Sequence, residues 1–72
     1  MDLTTVIEIR SGVRSGKPCL IGTRIAVYDV LEYLASGMTT EEIVVDFPEL
    51  TPEHVRAAID FAALRERRLV TA

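Results

Sequence analysis

Tryptophan is absent from the 72 residues, and aromatic residues make up only 6% of them. There is one cysteine, Cys19, and one histidine, His54. A lone cysteine excludes a disulfide framework within the chain. With one histidine it cannot build the usual four-ligand structural zinc site. No apolar run approaches the roughly 20 residues that a membrane-spanning helix needs. Met1 to Arg10 lacks the basic start and apolar stretch of a secretory signal. The sequence also lacks repeats, linkers and low-complexity tracts. A single small domain is expected, because a usual domain runs to roughly 100–150 residues. So short a chain buries only about 60% of its extended surface, which leaves little room for a deep catalytic pocket. No histidine–carboxylate–nucleophile set is evident, so neither an enzyme nor a bound cofactor is expected. The expectation is a cytoplasmic protein that gains stability from a partner or a second copy of itself.

What is present is globular in character, with 49% hydrophobic and 26% charged residues. The net charge of −3 is sorted along the chain. Residues 1–8 carry −2, residues 9–28 carry +4, residues 29–53 carry −7 and residues 54–72 carry +2. Such sorting suits faces that meet complementary partners, and it also suits plain solvated surfaces.

Val6 to Arg10 is rich in β-branched residues and reads as a short strand. Pro18 to Ile21 and Arg24 to Val27 read as extended segments folded about a tight turn, with Gly22 free to take positive φ. Val27, Val30, Leu31 and Leu34 recur with helical spacing, and Gly37 is placed just past that helix. A second, short helix opens on a capping box of Thr39 and Glu42, with Met38 and Ile43 as its hydrophobic staple. It turns Ile43, Val44 and Phe47 inward and stops before Pro48. Thr51 caps a third helix, Pro52 is its first residue, and Leu50 and Val55 form a second staple. Val55, Ala58, Ile59 and Ala62 make its inward stripe. Ala57, Phe61 and Leu64 make an adjoining stripe that calls for cover, either by a partner or by the N-terminal strand. The fold class is therefore α+β and mainly α: a short N-terminal β element followed by a three-helix helix-turn-helix bundle. Residues 1–64 form the domain and residues 65–72 a C-terminal tail.

The string Gly16-Lys17-Pro18-Cys19-Leu20-Ile21-Gly22-Thr23-Arg24-Ile25, with Leu34-Ala35-Ser36-Gly37-Met38-Thr39 and Glu42-Ile43, resembles a bacterial family. So do Phe47-Pro48-Glu49-Leu50-Thr51 and Val55-Arg56-Ala57-Ala58. It is the domain-of-unknown-function family numbered four-three-three, antitoxin-like and related to VapB antitoxins, with a homeodomain-like fold. The resemblance covers about residues 6–64. It implies an antitoxin that binds and silences a PIN-like toxin ribonuclease, with operator DNA binding and autoregulation. The matching positions are Gly16, Lys17, Pro18, Gly22, Thr23, Arg24, Gly37 and Pro48. A regulator with the same helix-turn-helix and no toxin partner is the alternative, and an adaptor that only assembles a complex is a third.

For DNA, phosphate contacts need Lys or Arg. Arg10, Arg14, Lys17 and Arg24 are the main candidates, because the second helix is acidic at Glu41, Glu42 and Asp46. His54 and Arg56 stand where a recognition helix would read bases. Each of these residues has a plainer role open to it. Gly16-Lys17-Pro18 is a turn rich in N–H groups, or merely a strand connection. Arg24 is set to clamp Asp29 or Glu32. His54 is a solvated surface residue unless it touches a base. Cys19 reads as a small buried hydrophobe. The three acids of the second helix read as a solvated face rather than metal ligands. For the toxin, the resemblance assigns the tail. Arg65, Arg67 and Arg68 would engage carboxylates of an acidic nuclease centre, anchored by Leu64, Leu69 and Val70, or else the tail is a frayed helix end with its cations near the negative C-terminus. A homodimer is expected from the open edge at Val6–Arg10 and from the Ala57, Phe61, Leu64 stripe.

Overall fold

The computed structural model describes residues 2–12 and 16–71, with side chains up to residue 66. The chain opens on a 3-10 turn, Leu3–Thr5, capped by Asp2. The Asp2 carboxylate accepts from the Thr4 hydroxyl at 2.6 Å and the Thr4 N–H at 3.0 Å. Those two bonds, the hydroxyl first, hold the carboxyl below its ordinary range.

Strand β1, Ile7–Glu8, pairs antiparallel with β2, Cys19–Leu20, setting Ile7 opposite Leu20 and Glu8 opposite Cys19. The strand expected over Val6–Arg10 is thus only two residues long, although the Ile21 N–H to Val6 carbonyl bond of 2.8 Å extends the ribbon. On its other side β2 meets the returning segment, with Leu20 N–H on the Ile25 carbonyl at 3.0 Å and Val27 N–H on the Pro18 carbonyl at 2.9 Å. Gly22 stands at φ 85° in the tight turn between them, a backbone that L side chains resist. Thr23 is buried beside it. Its hydroxyl donates to the Leu20 carbonyl at 2.9 Å and accepts from the Ile25 N–H at 3.0 Å. Thr23→Val keeps the shape and strands the partly buried Ile25 N–H. It is expected to cost about 1–3 kcal/mol in urea unfolding, and an unchanged midpoint would show that the hydroxyl does not hold the turn.

Three helices follow: α1 Val27–Ala35, α2 Thr40–Asp46 and α3 Pro52–Thr71. At the start of α1 the Asp29 carboxylate accepts from the Ala26 N–H at 3.2 Å. Alanine offers no side-chain acceptor in return, so only half of a capping box exists there. The helix ends in a Schellman arrangement. Gly37 at φ 103° gives its N–H to Leu34, and Met38 gives its own to Tyr33. At α2 the expected box is complete, with Glu42 N–H on the Thr39 hydroxyl at 3.1 Å and Thr39 N–H on the Glu42 carboxylate at 2.9 Å. The helix stops at Asp46, ahead of Pro48.

The core gathers Leu20, Val27, Val30, Ile43, Leu50, Val55 and Ala58, so both staples feed it. Tyr33 and Phe47 stack beside it with centroids 4.7 Å apart. Cys19 is buried, as a small hydrophobe should be. The architecture is therefore α+β and mainly α. One inward residue of α3 is corrected: Ile59 is 43% exposed, whereas Ala57 is fully buried. The cause lies in the β element. Leu3, Ile7, Ile9 and Pro18 flank Phe61 and Leu64, so the N-terminal segment covers part of the second stripe and turns Ile59 toward solvent. The helix also continues past the boundary expected after Leu64, and residues 65–71 are its last turns.

Candidate binding surface

Between the first turns of α1 and the second half of α3 runs an open groove of about 710 Å³. Val27, Leu31, Phe61 and Ala62 give it an apolar floor, and Pro18 closes one side. The helical spacing of Val27 and Leu31, and of Phe61 and Ala62 with Arg65, puts these residues on facing surfaces of the two helices. Two cations stand at the mouth, each against an aromatic ring. Lys17 Nζ lies 5.9 Å from the Tyr28 centroid, and Arg65 Cζ lies 5.6 Å from that of Phe61. Tyr28 is 59% exposed, and its hydroxyl donates to Glu32 at 3.1 Å. That bond, reinforced by the Glu32 charge, pushes the phenol above its ordinary value, so Lys17 faces a neutral ring. Glu66 is the one acid in the lining. The groove offers apolar burial between two positive charges.

The other expected site residues are scattered. The β1–β2 register, continued outward, brings Arg10 and Lys17 to one end of the ribbon, while Arg24 lies exposed at the turn on the other. Arg10 pairs with Glu8 at 3.6 Å. Arg56 pairs along α3 with Asp60 at 3.5 Å. The carboxylates expected to clamp Arg24 have other partners, Asp29 with the Ala26 N–H and Glu32 with Tyr28. His54 is half-buried and has a structural task. Its Nδ1 accepts from the Thr51 N–H at 3.0 Å, while its own N–H lies 3.3 Å from the Thr51 hydroxyl. This is a capping box in which imidazole replaces the usual Glu or Gln, so the bond needs Nδ1 free of a proton. Leu64 is 42% exposed and Arg65 is exposed on α3, where the toxin contact is expected. Arg14 lies outside the described residues, as do the side chains of Arg67, Arg68, Leu69 and Val70. Among the described residues no group of three or more His, Cys, Asp or Glu is placed to hold a metal ion. None of the described helices is long and apolar enough to cross a membrane.

Residues 7–62 match the family described as Protein of unknown function (DUF433). The chain belongs to this family. The matched span contains both strands, α1, α2 and the first half of α3, and hence the core cluster from Leu20 to Ala58. The DUF433 chain is also similar to the uncharacterized protein y4eO of Sinorhizobium fredii, at 38% identity over 75 residues. That alignment takes in 96% of this chain and 34% of y4eO, so the chain spans about a third of its curated relative. The crystal structure of a DUF433 member from Anabaena variabilis superposes with a TM-score of 0.81 at 28% identity, over 96% of this chain and 68% of that one. The groove was missed by sequence reasoning because it depends on how α1 meets α3. The only prior signals were the leftover stripe on α3 and the basic run before α1.

Proposed function

We propose that this DUF433 chain is a cytoplasmic antitoxin of the VapB-related kind, which binds and inhibits a PIN-like toxin ribonuclease and carries no catalysis of its own. The observation that supports it is the reach of α3. Among the described side chains the last fully buried one on that helix is Ala58, yet the helix continues to Thr71. Past the core it carries exposed Leu64 and Arg65, an apolar anchor beside a cation, which suits insertion into an acidic, metal-holding nuclease centre. Operator binding and autoregulation by a homodimer complete the reading, with phosphate contacts assigned to Arg10, Arg14, Lys17 and Arg24.

The rival is a stand-alone DNA-binding regulator. It draws on Arg56, whose side chain is 71% exposed in the second turn of α3. The acidic face of α2 opposes it, because Glu41, Glu42 and Asp46 would meet the phosphates flanking the groove. The deciding experiment co-expresses the chain with any PIN-like protein encoded in an adjoining reading frame. The expected result is a co-purifying complex in which RNA cleavage stops. A nuclease that cleaves at full rate with the chain in excess would remove the antitoxin reading.

A further inference from the structure

The charge sorting leaves two faces that match each other better than either matches itself. One is the groove, with apolar floor, with Lys17 and Arg65 at its mouth and with Glu66 as its single acid, so that its lining carries net positive charge. The other is the outer face of α2, where Met38, Glu41, Glu42, Val45 and Asp46 border a shallow depression. Val45 stands among these carboxylates at 76% exposure, more than any other large exposed hydrophobic residue described. Helical spacing sets Glu41 one turn before Val45, and Glu42 one turn before Asp46. Helix stability does not explain all of these acids. Glu42 completes the capping box, but Asp46 is the last residue of α2, where a negative charge opposes the helix dipole.

We infer that two copies of this chain associate by seating the α2 face of one in the α1/α3 groove of the other. Val45 enters the apolar floor, while Glu41 and Asp46 meet Lys17 and Arg65. Like faces do not pair, since groove on groove opposes cations and α2 on α2 opposes carboxylates. The signs therefore select the unlike pairing. Made reciprocally by both copies, it closes a two-fold dimer. Apolar contact supplies affinity, and the exposed charges set orientation and partner choice. This goes beyond the antitoxin reading, with which it shares the dimer and the residues Lys17 and Arg65, and its test uses neither toxin nor DNA.

The test is a charge swap read by sedimentation. One variant reverses the groove with Lys17→Glu and Arg65→Glu. A second reverses α2 with Glu41→Lys and Asp46→Lys, sparing the Glu42 cap. Circular dichroism verifies that both fold. The wild-type chain is expected to be dimeric, and to weaken as salt rises from about 0.05 to about 0.5 M. Each variant alone is expected to lose affinity by at least about tenfold. Mixed, the two are expected to recover it, because each reversed face then meets its opposite. A monomeric wild-type chain overturns the inference. So do variants that self-associate like the wild type, which would place the contact elsewhere, for example along Ile9 and Leu64. Folded variants that fail to recover on mixing overturn it as well.

Discussion

A chain ending at Ala63 is expected to fold and yet fail to protect cells from the co-expressed toxin. Among the described residues, the α3 members of the buried core are Val55, Ala57 and Ala58, and the partly buried Phe61 is also retained. The deletion removes Leu64, Arg65 and the later turns, which run beyond that core. Leu64, Arg65 and Glu66 are exposed, and loss of a helix end costs little stability. Inhibition is another matter. A PIN-like centre that holds metal with carboxylates presents concentrated negative charge, and Arg65, Arg67 and Arg68 are the cations of α3 nearest its end. Growth after toxin induction reads the effect, with an expected change from full protection to none. Arg65→Glu in the full-length chain is the companion variant and keeps α3 whole. Full protection by the chain ending at Ala63 would move the inhibitory surface to α2 or to the Lys17–Arg24 segment.

Much of the fold was legible because its signals are local. Thr39 with Glu42, Gly37 after α1, and Pro48 after α2 each act within a turn or so of themselves, and each stands where the spacing put it. The box at α3 was half read. Thr51 announced itself as a cap, but His54 did not, since imidazole nitrogen is a rare substitute for carboxylate or amide oxygen. Ile59 was misplaced for a different reason. Helical periodicity says which residues share a face, and it leaves open which of two adjoining apolar faces the other elements will cover. Leu3, Ile7, Ile9 and Pro18 decide that for α3, and their approach to Phe61 is a tertiary fact. The groove is illegible on the same ground, because Lys17 and Arg65 lie far apart in sequence and meet one pocket only once α1 and α3 have packed.

Within α2 the fold rests on one side chain, and Ile43→Ala is expected to show it. Ile43 is fully buried, and it is the only buried residue of that seven-residue helix. So short a helix is not stable alone, and its capping box contributes only on the order of 1 kcal/mol. Its docking therefore depends on the packing of Ile43 into the cluster of Leu20, Val30, Leu50 and Val55. Truncating a buried isoleucine costs about 2–5 kcal/mol through lost transfer energy and the cavity left behind. A chain of this length holds about 4–11 kcal/mol in all. The variant is thus expected to lose a large share of its stability, with a melting temperature lower by at least about 10 °C. Val45→Ala, two positions along on the exposed face, is the control: unfolded at concentrations too low for two copies to associate, it should stay within about 0.5 kcal/mol of the parent. Ile59→Ala tests the corrected face of α3 in the same way, and its cost should stay well below that of Ile43→Ala because its side chain is already half in water. Equal destabilisation by Ile43→Ala and Val45→Ala would mean that α2 does not dock through Ile43. It would then have to pack through the acidic face, and the surface assigned to a second copy would be buried within the first.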